Sequence, residues 1–140
     1  MAKDVSFLIV EDDDVDVMAL DRAFKQLKIA NKQYFARDGV EALEILRGQG
    51  GREQIPAPFI ILLDLNMPRM SGLEFLEEIR KDEALKQSVV FVLTTSSDDR
   101  DRVSAYEKNV AGYIVKSDPT NGFMEAITML DHYWRVVELP

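Results

Sequence analysis

The sequence lacks cysteine and contains a single histidine. Without cysteine, a disulfide framework, a thiolate zinc site and a thiol nucleophile are excluded, and a reduced, cytoplasmic protein is expected. No apolar run approaches the roughly 20 residues that span a bilayer, and the N-terminus lacks the residue order of a secretory signal. We therefore expect neither a membrane span nor secretion.

Basic residues are also scarce compared with acidic ones. The chain has 17 Lys and Arg against 25 Asp and Glu, a formal net charge of −8. Such a surface repels nucleic acid and acidic membranes unless a local basic patch exists. None is evident, because Lys25 and Lys28 share their predicted helix with Asp16 and Asp21. Binding to nucleic acid or to a membrane surface is therefore not expected.

The size and composition indicate one domain spanning residues 1–140. The 140 residues are 46% hydrophobic, enough for one well-buried core. There is no internal repeat, low-complexity segment or second domain. We therefore expect no output domain, so that any output passes through another protein.

Five short apolar segments alternate with helical patterns. Strands are predicted at residues 5–10, 33–36, 59–65, 89–93 and 113–115. The third is apolar at every position except Asp64, which indicates burial on both faces in the middle of a parallel sheet. The apolar stripes of the five helices are Val17, Leu20, Phe24 and Leu27; Val40, Leu43 and Leu46; Leu73, Leu76 and Ile79; Val103, Tyr106 and Val110; and Phe123, Ile127, Leu130 and Trp134. The last helix has a predicted start at Asp118-Pro119. This alternation predicts an α/β fold with a doubly wound, five-stranded parallel sheet.

Polar residues stand at the carboxyl ends of these strands, where open α/β sheets bind ligands. The first strand is followed by four acids at 11–14, the third ends in Asp64, the fourth in Thr94 and the fifth in Lys116. Taken alone, the acidic run is better explained as a solvated loop. Asp64 is less easily explained, because an ionised Asp is rarely buried without a partner.

A cation would allow Asp64 to share a site with Glu11 and Asp12. Two carboxylates about 4 Å apart repel by roughly 4 kcal/mol at an effective dielectric near 20. Oxygen ligands with no nearby His or Cys select a hard ion such as Mg²⁺. With the hydroxyl of Thr94 and the charge of Lys116 on the same rim, these groups are suited to phosphoryl transfer onto a carboxylate.

The sequence resembles a response-regulator receiver domain of two-component signalling, similar to the chemotaxis regulators. The resemblance lies in residues 7–12 (FLIVED), 63–68 (LDLNMP), 92–94 (VLT) and 112–116 (GYIVK). It implies a flavodoxin-like (βα)5 fold with strand order 2-1-3-4-5. It also implies a Mg²⁺-dependent switch that is phosphorylated by a sensor histidine kinase and catalyses only its own phosphorylation and dephosphorylation.

The resemblance implies a role for each site residue. Asp64 would be the phosphoacceptor, and Thr94 and Lys116 would bind the phosphoryl oxygens. Tyr113 would be an aromatic switch that turns inward when Thr94 moves, with a tyrosine at the edge of the core as the alternative. The implied metal ligands are Glu11 through water, Asp12, Asp64 and the backbone carbonyl of Asn66.

Two departures from the family separate this chain from typical members. Ser117 follows Lys116 where the family usually has proline, and the connection at 48–58 is longer than usual. A Lys-Ser pair, such an insertion and an aromatic last helix resemble the stand-alone receivers associated with bacterial phytochromes. A phytochrome-type histidine kinase is therefore the expected partner.

The C-terminal region has more apolar residues than one helix face buries. They are Tyr133, Trp134, Val136, Val137 and Leu139. Exposed apolar patches often mark contacts, so we expect a homodimer through the last two helices and the last strand. His132, late in the last helix, is expected on the helix surface and not in a phosphorelay.

The sequence disfavours three alternatives to a working receiver domain. A haloacid-dehalogenase-type phosphatase needs a second Asp where this chain has Asn66, which cannot protonate a leaving group. A flavodoxin-like electron carrier would place the phosphate of its cofactor against the acids at 11–14. A degenerate receiver is not expected, because every polar residue of the family is present.

Overall fold

The computed structural model describes residues 4–65, 67–94, 109–115, 122–137 and 139–140. Its centre is a five-stranded parallel sheet in the order β2-β1-β3-β4-β5. The strands are β1 (Ser6–Val10), β2 (Gln33–Ala36), β3 (Phe59–Asp64), β4 (Val89–Thr94) and β5 (Gly112–Val115). The helices within the described residues are α1 (Asp14–Gln26), α2 (Gly39–Arg47), α3 (Gly72–Lys81) and α4 (Gly122–Val136). The predicted fold class and strand order are confirmed.

The sheet separates two apolar cores, because successive side chains of a strand point to opposite faces. Leu8, Ile61 and Leu63 face the core formed with α2 and α3. Ile60 and Leu62 face the second core, formed with α1 and α4. The middle of β3 is thus buried on both faces, as its uninterrupted apolar sequence predicts.

Side-chain caps fix where three of the helices begin. Asp13 accepts hydrogen bonds from the amides of Val15 and Asp16 at the start of α1. Asp38 accepts from the amide of Glu41 at the start of α2. Ser71 and Glu74 form a reciprocal capping box at the start of α3. Because each cap follows a strand closely, it orients the connection at the carboxyl edge of the sheet.

The predicted elements agree with the structure except at a few boundaries. The prediction for β2 and α2 matches their observed bounds, and the other strands differ by one residue at an end. Val110 was assigned wrongly to a helix, since it lies outside the helices and strands. The adjacent Asn109 has a positive φ of 60°, and the amide of Ala111 donates to the carbonyl of Val90, so the chain here already runs towards β5. The rest of that predicted helix and the predicted start at Asp118-Pro119 lie outside the described residues.

The long connection at 48–58 is irregular, as predicted, but it is anchored to the domain. Gly48 ends α2 in the left-handed conformation. Ile55 is buried in the first core, and its amide donates to the carbonyl of Ile45. Arg52 lies 3.3 Å from a carboxylate oxygen of Glu44. The connection is therefore held against α2 by one apolar residue and one cation.

The apolar C-terminal region is partly buried and partly exposed. Tyr133 packs edge-on against Phe91, with ring centroids 5.2 Å apart. Trp134 and Leu139 also pack against the second core. Val136 and Val137 remain exposed after the end of this packing. The predicted excess of apolar surface is therefore confined to the last turn of α4 and the residue that follows it.

Candidate functional site

Glu11 and Asp64 meet at the carboxyl edge of the sheet. Val10 pairs with Leu63 in the register of β1 and β3, so the residues that follow them, Glu11 and Asp64, occupy adjoining positions. Glu11 is 1% exposed and Asp64 is 6% exposed. Two acidic side chains are thus buried side by side at the end of two central strands.

Asp12 joins these two residues from the solvent side. Carboxylate oxygens of Glu11, Asp12 and Asp64 all lie within 4.8 Å of one another. Asp12 itself is exposed. The three residues, which we call the acidic cluster, therefore combine two buried carboxylates with one that is exposed to water.

The other two acids of the run at 11–14 have different positions. Asp13 caps α1 through its carboxylate, and its own amide donates to Glu11 at 3.2 Å. Asp14 is the first residue of α1 and is exposed. The structure therefore divides the acidic run as the sequence predicts, with its first two members in the acidic cluster and the others at the helix start.

The loop after Asp64 returns closely to the strand from which it leaves. The amide of Gly72 donates to the carbonyl of Leu65 at 3.0 Å. A Cβ atom on Gly72 would lie 2.5 Å from the carbonyl oxygen of Asp64 and 2.6 Å from the Cα of Leu65. Only glycine allows this approach of α3 to the backbone of Asp64.

An ion pair that sequence reasoning missed lies beside this loop. The Nε of Arg69 donates to Oδ2 of Asp38 at 2.7 Å, and the Asp38 side chain is 6% exposed. Burial alone would raise the pKa of Asp38, but the hydrogen bonds from Arg69 and from the amides of Glu41 and Val40 outweigh it and lower the pKa below its usual value. An Asp directly before Gly39 and a helix predicts the cap, but nothing local predicts the Arg partner 31 residues away.

Of the four remaining predicted site residues, the structure describes Tyr113 and the backbone of Thr94. The backbone of Thr94 pairs with Val115 in the register of β4 and β5, at the same edge of the sheet as Asp64. Tyr113 is half-buried and packs against the first core. This position agrees with a tyrosine at the edge of the core, and its switching role stays a prediction. Asn66, Lys116 and the side chain of Thr94 lie outside the described part of the chain.

The acidic cluster fits a hard divalent cation. At a separation of 4.8 Å or less, the buried pair Glu11 and Asp64 repels by at least roughly 3 kcal/mol if both are ionised at an effective dielectric near 20. Three carboxylates and no nitrogen or sulfur ligand are suited to Mg²⁺ or Mn²⁺. Because Asp12 is exposed, water can reach the cluster.

Comparison with known proteins identifies the family. The family model "Response regulator receiver domain" matches residues 7–128. The chain belongs to this family. The predicted resemblance is therefore confirmed, and the acidic cluster lies at the edge of the sheet where β1 and β3 end.

The similar proteins include several phytochrome response regulators. Response regulator Rcp1 of Synechocystis sp. is 36% identical over 134 residues, which cover 95% of this chain and 91% of Rcp1. The Mn²⁺-bound structure of Rcp1 superposes with a TM-score of 0.84 at 35% identity, covering 97% of this chain and 99% of that one. The phosphorylated cyanobacterial phytochrome regulator RcpA gives 0.87 at 32% identity and covers 99% of both chains. The predicted likeness to the phytochrome-associated subgroup is confirmed.

These findings bear on the other functions considered for the sequence. The family is that of a signalling receiver, and neither a dehalogenase-type phosphatase nor an electron carrier is among the relatives described above. No helix within the described ranges is long and apolar enough to cross a membrane.

Proposed function

We propose that this response regulator is switched by transfer of a phosphoryl group to Asp64. The observation that supports this best is the acidic cluster, in which Asp64 ends the central strand β3 beside the buried Glu11 and the exposed Asp12. The phosphorylated state of RcpA, at 32% identity over 99% of this chain, supports the same chemistry.

The proposed transfer is a displacement at phosphorus. An oxygen of Asp64 forms the new bond to phosphorus, and the bond from phosphorus to the imidazole nitrogen of a kinase phosphohistidine breaks. With acetyl phosphate the bond that breaks is the one to the acetate oxygen. Positioning and charge stabilisation supply most of the catalysis in such reactions, so a fixed nucleophile next to a cation suffices.

Glu11, Asp12 and Asp64 would hold Mg²⁺, with the carbonyl of Asn66 as a further proposed ligand. Bound there, the ion would neutralise the acidic cluster and draw phosphoryl oxygens towards Asp64. Glu11 is fixed by its place after β1, while exposed Asp12 can adjust to the ion. Thr94 and Lys116 are proposed to bind the remaining phosphoryl oxygens, and Tyr113 to respond when Thr94 moves.

The proposed phosphate donor is a sensor histidine kinase, of the phytochrome type by analogy with RcpA. On α1, Val15 and Met18 are 63% and 61% exposed, and both lie within two turns of the acidic cluster. Large apolar side chains this exposed indicate a contact surface. We assign this surface, Val15 with Met18, to docking of the kinase. Such an exchange would take place in the cytoplasm, the location that the sequence predicts.

The regulator would act through protein contacts and not as an enzyme on other substrates. We also propose homodimerisation through the last two helices and the last strand, as the sequence predicts. The exposed side chains of Val136 and Val137 support this proposal. Sedimentation velocity at high protein concentration should show a dimer that Val136→Asp weakens. A monomer at every concentration, both with and without phosphorylation, would contradict this part of the proposal.

The central test is incubation with acetyl phosphate and Mg²⁺, followed by intact-protein mass spectrometry. The wild type should gain the mass of one phosphoryl group, and chelation of Mg²⁺ should prevent the gain. Asp64→Asn should stay unmodified, whereas Asp14→Asn, which removes an exposed acid outside the cluster, should react normally. An unmodified wild type would overturn the proposed function.

A further inference from the structure

The loop between β3 and α3 is tied to the start of α2 by two bonds. Arg69 donates to the buried carboxylate of Asp38 at 2.7 Å. One residue later, the carbonyl of Met70 accepts from the amide of Gly39 at 3.2 Å. A Cβ atom on Gly39 would lie 2.7 Å from Met70. The two segments therefore touch at the backbone, and the ion pair holds them in one relative position.

The same loop is fixed at its other side to the strand that carries Asp64. Gly72 donates to the carbonyl of Leu65, and the Cα of Gly72 faces the carbonyl of Asp64 with no room for a side chain. The loop thus begins directly after Asp64, returns to the backbone of Asp64 at Gly72, and is held between those points by Arg69. In the sequence, Asn66, the proposed carbonyl ligand, belongs to the same loop.

The charges around Asp38 are arranged so that Arg69 has one strong partner. Arg52, from the long connection at 48–58, lies 3.6 Å from Glu41 and 3.3 Å from Glu44. Arg52 thus pairs with the two other acids of α2, Glu41 and Glu44, which attract Arg69 less strongly than Asp38 does. Asp38 already accepts the amide of Glu41 as the cap of α2, which fixes the carboxylate that receives Arg69.

We propose that Arg69 and Asp38 are positioning residues for phosphoryl transfer, holding the β3–α3 loop so that the metal pocket at Asp64 is formed before the ion binds. This inference rests on the proposed function. It makes the ion pair an outer partner of the site: neither residue binds the ion or the phosphoryl group, but both hold the loop that carries the proposed carbonyl ligand. Loss of such outer partners typically weakens metal affinity by 10- to 100-fold.

The test compares Arg69→Ala, Arg69→Lys and Asp38→Asn with a matched control, Arg47→Ala. Arg47 also makes an ion pair from α2, with Asp82 at 3.1 Å, but that pair joins the end of α2 to the end of α3. Mn²⁺ affinity is measured by electron paramagnetic resonance, and the Mg²⁺ requirement by the rate of phosphorylation from acetyl phosphate. Thermal unfolding followed by circular dichroism reports stability separately.

Arg69→Ala and Asp38→Asn should raise the Mg²⁺ concentration for half-maximal phosphorylation by roughly tenfold or more. Saturating Mg²⁺ should restore much of the rate, and Arg69→Lys should recover part of the affinity because it keeps the charge. Arg47→Ala should lower the melting temperature without changing the Mg²⁺ requirement. Equal Mg²⁺ requirements in Arg69→Ala and Arg47→Ala would overturn the positioning role. If the wild type is phosphorylated normally in that experiment, the proposed function survives; if the wild type does not react, both proposals fail.

Discussion

Glu11 and Asp64 occupy adjoining positions on neighbouring parallel strands, and both carboxylates are almost completely buried within 4.8 Å of each other. A domain that only needed to fold would place apolar residues there, as it does at Val10 and Leu63 directly before them. The repulsion between the two carboxylates has to be offset by hydrogen bonds, a proton or a cation. A divalent cation would offset it and would also bring a phosphoryl oxygen to Asp64, as the proposed function requires.

Divalent metal should stabilise the folded protein through this acidic cluster. A ligand that binds only the native state raises stability as its concentration exceeds its dissociation constant, so Mg²⁺ or Mn²⁺ should raise the melting temperature. Asp12→Asn should weaken Mn²⁺ binding at least tenfold, or about 1.4 kcal/mol, because it removes one charged oxygen ligand. Electron paramagnetic resonance of Mn²⁺ measures the change. The control Asp14→Asn keeps the cluster and should bind Mn²⁺ like the wild type; equal weakening in both variants would indicate a general charge effect.

The Asp38 and Arg69 ion pair should contribute to stability in a pH-dependent way. The pKa of Asp38 is lowered in the folded state below its ordinary value of 3.8, so the native state binds this proton less tightly than the unfolded chain. The contribution is therefore present above about pH 4 and is lost as the pH falls through the lowered pKa. Asp38→Asn keeps a capping side chain but loses the charge, and it should cost about 1 kcal/mol at neutral pH because Arg69 is largely exposed.

Urea unfolding of the wild type and Asp38→Asn between pH 3 and pH 8 measures this contribution. The difference in unfolding free energy should be constant above about pH 5 and shrink below about pH 4. All other acids are shared by the two proteins, so their titration largely cancels in the difference. A difference that stays the same down to pH 3 would show that the ion pair is not its source.

Gly72 should tolerate no side chain. Gly72→Ala places a Cβ 2.5 Å from the carbonyl oxygen of Asp64, so the start of α3 must shift, at a cost of roughly 1–3 kcal/mol or more. Gly51→Ala is the matched control: Gly51 has a positive φ of 75° but no atom near the added methyl, so only backbone strain of about 1 kcal/mol applies. Denaturant titration should rank Gly72→Ala as the more destabilised. Because the added methyl also presses on the backbone of Asp64, phosphorylation by acetyl phosphate should slow in Gly72→Ala but not in Gly51→Ala.

Kinase docking through Val15 and Met18 should be separable from the chemistry at Asp64. Met18→Glu puts a charge on the exposed apolar surface of α1 and should slow phosphoryl transfer from a phosphorylated phytochrome-type histidine kinase. The rate with acetyl phosphate should not change, because this small donor needs no docking surface. The matched control is Met129→Glu, the same substitution at an exposed methionine on α4. This control should leave both rates unchanged. If Met18→Glu slows phosphoryl transfer from both donors equally, Met18 affects the chemistry at Asp64 and not the docking of the kinase.

Much of the fold was predictable because its pattern is local. An apolar run such as 59–65 can satisfy its burial only in the middle of a sheet, and α2 is bounded by Asp38 and Gly48, a cap and a helix terminator. Val110 was misassigned because an apolar residue at helical spacing looks the same whether the helix continues or the chain has turned towards β5. The preceding Asn109 has a positive φ, a backbone conformation that ends a helix and that periodicity does not report.

The residues of the candidate site also fall into those that the sequence predicts and those that it does not. Glu11, Asp12 and Asp64 were predictable because parallel strands bring their carboxyl ends to one edge. Arg69 and Asp38 were not, because their contact depends on how two loops 31 residues apart approach each other. The anchoring of the connection at 48–58 by Ile55 and Arg52 was missed for the same reason. Contacts between loops depend on backbone geometry that no residue pattern encodes by itself.

The central claim is that Asp64 is the residue that accepts the phosphoryl group. The most direct measurement treats the wild type with acetyl phosphate and Mg²⁺, reduces the acyl phosphate with borohydride and locates the converted residue by peptide mass spectrometry. The account predicts conversion at Asp64 alone, with none in the absence of Mg²⁺ and none in Asp64→Asn. Conversion at Asp12 or another acid in the wild type, or none at all, would contradict it.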